Sequence, residues 1–440
     1  MRPRRINLVM ALVLGIAPLA GVNEPPSNHS EANPNWRVEA SSSAPSGSPA
    51  GAVDRDRFAT EPRNCWRGRP KEKSWWWQVT FPQRRAVGAI LQVVGDHPYA
   101  LRNAPRDYVW QATADGTTWG DLPETAIKNE RRLFRLHRLR TARPVRGLRL
   151  RIDAAEGEFP TLREVEFHAD PKGRVPFEPW AVVVSTTGER RVPGEGRQFI
   201  PLAKACEPTL QAQNVWLGDF HEAFLSAEPR PLCGFLSGNF IDWCQQRRED
   251  WRGTQEVLRK GRLPIWASCG GAQGLAILAE TGVDRPWDCP NCRDPNDPKT
   301  PIYTRVPGSG KQEACGKYGR CVFERGPHNI RLVADDPAFA GLPREFRAME
   351  SHCGQIEWPP AGWVLVATHG AGALTRTQCL RVQDRYIYAA QFHVEMDGTP
   401  ESSRAIMKNF LRLAASWGGY NPEGRPVGPP RPFPAGRSSR

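Results

Sequence analysis

The 440-residue chain predicts two folded domains of different class: an antiparallel β-sandwich, then an α/β domain built on a mostly parallel sheet. Three observations predict this. Between residues 36 and 169, apolar and polar residues alternate in short runs separated by turn residues, with no helical periodicity. From Trp180 onward, short apolar runs alternate with helical stretches, the pattern of strands joined by helical crossovers. A Pro/Asn/Ser-rich stretch at 21–35 and a Pro/Gly/Arg-rich tail at 421–440 read as a disordered linker and a disordered tail.

Taken in order, the chain opens with a basic segment, Met1 to Arg5, and an apolar run from Leu8 to Ala20. This is the layout of a signal peptide, residues 1–20, cleaved near Ala20 or Gly21. The alternative is an uncleaved anchor, although the run is short beside the ~20 residues of a bilayer span. With the signal peptide cleaved, the chain is expected to be secreted or periplasmic and not transmembrane; an uncleaved segment would leave it loosely tethered. Runs at 74–81, 86–94, 107–113, 145–152 and 162–167 supply the sandwich strands, placed within 36–170. The α/β domain is placed at 178–417. Its strands are expected at 180–185, 215–217, 234–236 and around Ile265, with helices at 272–281 and 402–417. A Cys-rich insertion, 284–321, interrupts it.

The net charge of +13 is densest between Arg131 and Arg151, where Leu133, Leu136, Leu139 and Leu148 are interleaved. That spacing suits solvated strand surface; it also suits a basic face that attracts acidic polysaccharide or an anionic envelope. Nucleic acid is excluded as a partner for an exported chain without a recognised binding motif. With Cys269 set aside as a free thiol, the other ten of the eleven cysteines suit full disulfide pairing. Within the insertion, Cys289, Cys292, Cys315 and Cys321 also have the makings of a zinc site.

The chemistry concentrates at two places. In Leu263-Pro-Ile-Trp-Ala-Ser-Cys269-Gly-Gly-Ala-Gln273, a buried strand meets a cramped turn and then the start of a helix. The turn pushes the Cys269 sulfur outward, and the helix N-terminus favours negative charge there. Far downstream, Tyr386 to Phe392 is β-prone, so His393 falls at a strand end with Glu395 two residues on. A thiol, an imidazole and a carboxylate that orients the imidazole are the parts of a nucleophilic triad.

These residues resemble the class I glutamine amidotransferase family, which carries a G-x-C-x-G elbow followed by Gln and a late G-x-Q-F-H-P-E motif. By that resemblance Cys269 is the nucleophile, His393 the base and Glu395 the orienting acid, and Gln273 lies near bound substrate. Gly234-Phe-Leu-Ser-Gly238-Asn239 resembles the family's oxyanion strand, which implies that the amide of Gly238 or Asn239 acts with that of Gly270. Ser351-His352 with the following Pro359 and 362–368 resembles the stretch before the last strand. The family's fold implies a flavodoxin-like sheet. Ala267, Ala272, Asn239 and Val394 depart from the usual motif residues, and none of them is a triad member.

The N-terminal stretch resembles the discoidin, or F5/8 type C, family of galactose-binding-like jelly rolls. The resemblance rests on Ala52-Val-Asp54, Trp76-Trp-Gln-Val-Thr-Phe81, Thr113-Ala-Asp-Gly-Thr-Thr-Trp119 and Leu162-Arg-Glu-Val-Glu-Phe167. It implies a localising module whose loops contact sugar or surface, with Trp66, Trp75 and His97 as candidates. Together the two resemblances imply an exported cysteine hydrolase that cleaves a γ-glutamyl or similar carboxamide bond of a small molecule or peptide. No cofactor is needed. The alternative is a degenerate binding protein that recognises glycans or cell envelope.

Overall fold

The computed structural model describes residues 35–417, apart from 60, 97–100, 174, 176, 187–197, 222–229, 240, 242, 262, 286, 288–301, 310–311, 315–316 and 319–320. The expected signal peptide, nearly all of the linker, the tail, His97, and Cys289, Cys292 and Cys315 lie outside the described residues, as does the side chain of Cys244.

The N-terminal unit is a single antiparallel sheet folded over on itself. Its strands are β1 (Arg37–Ala40), β2 (Trp66–Arg67), β3 (Trp75–Val94), β4 (Pro105–Thr113), β5 (Gly120–Asp121), β6 (Phe134–Ala155) and β7 (Thr161–His168), in the order β2-β7-β3-β6-β4-β5 with β1 on β3. The fold-over comes from β3, whose first part pairs with β1 and with Gly147 to Ile152 of β6. Its last part pairs with β7 and with Phe134 to Arg138. Register shifts between Thr80 and Arg85 and between Val87 and Ala89 let one strand turn the corner of the sandwich. Rings from different strands then meet edge-on in the core: Trp77 and Trp110 at 6.2 Å, Phe81 and Phe167 at 5.5 Å, Trp110 and Phe167 at 6.2 Å. Trp66 and Trp75 are buried too, and their indole N–H groups donate to the carbonyls of Ser42 and Arg69. They pack the core, so neither is a surface contact for sugar.

The second unit holds a nine-stranded sheet of mixed orientation. After β8 (Trp180–Ser185), β9 (Gln211–Trp216), β10 (Cys233–Leu236) and β11 (Ile265–Ser268) come three short strands. These are β12 (Tyr303–Arg305), β13 (Gln312–Ala314) and β14 (Lys317–Tyr318). Then follow β15 (Glu324–Leu332), β16 (Glu345–His352), β17 (Gly354–Ile356), β18 (Trp363–His369), β19 (Thr377–Val382) and β20 (Ile387–Ala390). Neighbours β9-β8-β10-β11-β20 run parallel, while β20-β19-β18-β15-β16 are antiparallel throughout. The expectation of a mostly parallel sheet is therefore corrected. After β15 the chain returns through connections too short for helical crossovers, and such connections join antiparallel strands.

The helices are α1 (Phe199–Cys206), α2 (Arg252–Lys260), α3 (Gly270–Glu280) and α4 (Glu401–Trp417). Alternate residues of the parallel strands serve opposite layers. Val183, Phe235, Trp266 and Tyr388 pack with Phe199 of α1 and Phe410 of α4. Val182, Val184, Leu236, Ile265 and Ile387 share a cluster with Val257 of α2 and Leu275 of α3. Burial on both faces explains why 180–184 reads as an unbroken apolar run. The second cluster continues into the sandwich core, where the Phe134 and Trp180 rings lie 4.9 Å apart. Arg163 of β7 donates to Gln213 on β9, so the sandwich packs beside the sheet's edge strand.

Full disulfide pairing is also corrected. Cys321 and Cys353 form a disulfide, whereas Cys65, Cys206, Cys233 and Cys379 are free thiols. Cys233 and Cys379 lie in the apolar cluster beneath α1 and α4 and act there as small hydrophobes. Burial pushes both thiols up, and that of Cys65 to about 11. The disulfide removes Cys321 from the zinc set, and no metal-holding cluster exists among the described residues. Among those residues, no helix is long and apolar enough to cross a membrane.

Candidate functional site

Strand β11 delivers Cys269 to the N-terminus of α3 through a turn that only a cramped sequence permits. Cys269 sits at φ 48°, ψ −112°, where a side chain is strained, and its N–H donates to the Ala390 carbonyl at 2.8 Å. The two residues that follow must be small. A Cβ on Gly270 would lie 2.2 Å from the Asn239 nitrogen, and one on Gly271 would lie 2.7 Å from the Ser237 carbonyl oxygen. The strand–elbow–helix is thus wedged against the loop after β10.

That loop aims an amide at the elbow. Thr186 and Ser237 hydroxyls donate to the Gly238 carbonyl, the second at 3.2 Å. In a planar trans peptide the C=O and the following N–H point opposite ways, so pinning this carbonyl turns the Asn239 N–H away from Thr186. The Asn239 side chain is committed elsewhere, to Ile241 and Gln246 at 2.8–2.9 Å. The Asn239 nitrogen is the atom nearest the space that a Cβ on Gly270 would take. It stands beside Gly270, whose own N–H has no acceptor within α3 because it opens the helix.

His393 comes from the segment after β20, held by its N–H on the Met349 carbonyl of β16 at 2.8 Å. Its Nδ1 lies 2.8 Å from Glu395 Oε1. Nε2 makes no well-aligned hydrogen bond; its neighbour is the Cys269 thiol. Burial opposes protonation of this imidazole, but the Glu395 charge and the Cys269 sulfur outweigh it and hold the pKa well above the ordinary value. The structure therefore brings Cys269, His393 and Glu395 together, each 7% exposed, in a site largely shielded from water.

Gln273, one turn along α3, donates from Nε2 to the Gly354 carbonyl at 3.0 Å and to Gln391 at 3.2 Å. Its amide braces the helix against β17 and the His393 segment.

Two features escaped the sequence reading. Ser268 donates its hydroxyl to the other oxygen of Glu395 at 2.9 Å, fixing the carboxylate's plane. Its place immediately before the nucleophile was the available signal. The second feature is a buried acid–base cluster on β15 and β16. His352 Nε2 lies 2.8 Å from Glu350 and 3.6 Å from Glu324, with Nδ1 2.9 Å from the Gly354 carbonyl. Both ring nitrogens thus lie beside oxygen atoms. The cluster anchors the strand whose Ser351 carbonyl lies 3.8 Å from the Cys269 sulfur. Nothing in the local sequence links Glu324 to it.

Over 111 residues, 24% of its length, the chain is 33% identical to a GMP synthase [glutamine-hydrolyzing] of Thermosipho africanus and covers 21% of that protein. The chain carries a class I glutamine amidotransferase-like domain. It spans about a fifth of the length of the curated relatives it matches first. No family model matches. Among solved structures, a putative GMP synthase component from Thermoplasma acidophilum aligns with 55% of this chain and 97% of its own, at TM-score 0.39 and 19% identity. A chitosan-binding module from a Paenibacillus chitosanase/glucanase aligns with 30% of this chain and 95% of its own, at TM-score 0.25 and 17% identity. Ahead of the amidotransferase-like domain lies the antiparallel β-sandwich.

Proposed function

We propose that the chain is an exported cysteine hydrolase that cleaves a γ-glutamyl or similar carboxamide C–N bond, with the sandwich at 36–170 localising the domain at 178–417. One observation carries the reading: a strained cysteine at a helix N-terminus beside an imidazole whose far side is bonded to a buried carboxylate. The order of the parallel strands by appearance, 2-1-3-4-5, is that of flavodoxin-like sheets, whose sites lie at the strands' carboxyl ends. Cys269 and His393 occupy such ends.

In this reading the Cys269 thiol passes its proton to His393 Nε2, its sulfur attacks the substrate carbonyl carbon, and the Asn239 and Gly270 amides hold the oxygen as it becomes negative. His393 gives its Nε2 proton to the leaving nitrogen, the C–N bond breaks, and a thioester remains. His393 then takes a proton from water, which attacks the thioester and releases the acid and the free thiol. Glu395, its plane fixed by Ser268, keeps the imidazole in one orientation and offsets its charge. With Trp66 and Trp75 buried, the half-buried pair Trp76 and Trp119 offers aromatic surface to a sugar. These flank the Arg149 guanidinium at 5.0 and 4.1 Å.

The test is incubation of the full chain with γ-glutamyl amides, γ-glutamyl peptides and peptidoglycan fragments, read by mass spectrometry. Release of the acid by the parent and not by Cys269→Ala supports the enzyme. Intact substrates throughout, with a glycan bound by the sandwich, favour the binding-protein alternative.

A further inference from the structure

The densest run of positive charge does not lie only on solvated strand surface. Between the two units is a cavity of about 410 Å³, lined by Lys128, Glu130, Arg131, Arg132 and Arg135 of the sandwich and by His221 from the segment after β9. That volume falls within the ~300–1,000 Å³ of small-molecule sites. Its lining is unusual for such a site because charge takes the place of apolar side chains.

The one acid among the described lining residues is already committed. Glu130 Oε1 accepts the backbone N–H groups of Arg131 and Arg132 at 2.9 and 3.1 Å, and Oε2 takes Arg135 and the Tyr108 hydroxyl. Lys128 lies 3.3 Å from Asp107 but is mostly exposed. Arg131 and Arg132 bring their charge to the cavity without a carboxylate of their own among the ion pairs of the described residues. A concave, positively lined wall focuses its field on whatever enters.

A second observation gives the same sign. Burial, then Arg131, then Arg106 lower the His221 imidazole to about 4. The other charges around it are Lys128, Arg132 and the Arg135–Glu130 pair, with Arg106 itself bound to Glu156 at 2.6 Å. An imidazole from one unit thus faces Arg131 and Arg132 on the other.

We propose that this interdomain cavity binds a compact oxyanion, a phosphate or sulfate group, held by Arg131, Arg132 and His221 across the two units. Because the site takes residues from both, an occupied cavity ties the sandwich to the amidotransferase-like domain.

The experiment follows thermal unfolding of the full chain in inorganic phosphate, inorganic sulfate and a sulfated monosaccharide, at constant ionic strength made up with chloride. The proposal expects a saturable rise in midpoint. Arg131→Gln with Arg132→Gln weakens the apparent affinity at least tenfold, and Arg140→Gln, further along β6, does not. The His221 imidazole, followed by NMR, rises by a unit or more as phosphate is added to the parent and stays put in the double variant. Tighter binding of the sulfated sugar than of free sulfate identifies a glycan-borne group as the ligand; equal binding identifies the free anion. A midpoint that responds alike to chloride, or a saturable response untouched by the double substitution, overturns the proposal. The NMR arm reads the site directly even if the double variant is less stable.

Discussion

Replacing Gly270 by alanine separates helix stability from amide placement, because the two effects have opposite sign. In the first turn of α3, alanine is the better helix former by about 1 kcal/mol. The added methyl nevertheless lies 2.2 Å from the Asn239 nitrogen, 2.4 Å from its Cβ and 2.8 Å from its Cα. Ordinary contact begins near 3.4 Å, so the elbow and the 238–239 peptide must part by about 1.2 Å. A donor at hydrogen-bond distance, ~2.9 Å, is then beyond ~4 Å and no longer bonds the developing oxyanion. Loss of one such donor lowers kcat by roughly 10²–10³, or ~2.7–4 kcal/mol. Steady-state kinetics on a γ-glutamyl amide, with circular dichroism and a melting curve on the same sample, is the assay. The reasoning expects a folded protein with kcat down by that factor and KM little changed. A folded variant whose kcat stays within threefold of the parent refutes the placement of these two amides.

Three further outcomes follow from the same geometry. The His393 imidazole is held above its ordinary value, so the stability it contributes is fully present below the unfolded-state pKa of ~6.5 and is lost as pH rises through the folded value. NMR should find it protonated at neutral pH and, in Glu395→Gln, titrating lower; unchanged titration contradicts the pairing. His352→Gln removes the buried ring that packs between Glu324 and Glu350 and should cost about 1–3 kcal/mol in urea unfolding. A loss under about 0.5 kcal/mol contradicts the anchoring role. Reducing Cys321–Cys353, which spans 32 residues, should lower stability by ~3–4 kcal/mol on the chain-entropy model and slow turnover, since Cys353 lies two residues beyond Ser351. Full activity after reduction, checked by thiol counting, contradicts that coupling.

The legible parts of this molecule were those where local chemistry and tertiary need coincide. Small residues around Cys269 announced the elbow because nothing larger fits between Asn239 and the helix. The apolar run at 180–184 announced a strand buried on both faces, and β8 occupies Trp180–Ser185. The sequence was less informative where distant partners decide. Residues 82–85 read as a turn between two strands, yet β3 continues through them as one strand bent at register shifts. The antiparallel half of the C-terminal sheet passed unnoticed because β15 and β16 owe their pairing to each other. Trp66 and Trp75 looked like contact residues because indole suits sugar, and only the folded core shows them enclosed. The cysteines misled by arithmetic: an even number invites pairing, but Cys233 and Cys379 are used as apolar filling. Within the candidate site, triad and elbow were legible from motif spacing, whereas Ser268 and the Glu324–Glu350–His352 cluster needed coordinates.

The most direct measurement is mass spectrometry of the full chain quenched in acid during turnover of a γ-glutamyl amide. The account predicts an acyl adduct on the peptide that carries Cys269, absent from Cys269→Ala and longer-lived in His393→Ala, where hydrolysis of the thioester lacks its base. An adduct on another cysteine, or none while the acid product accumulates, contradicts it.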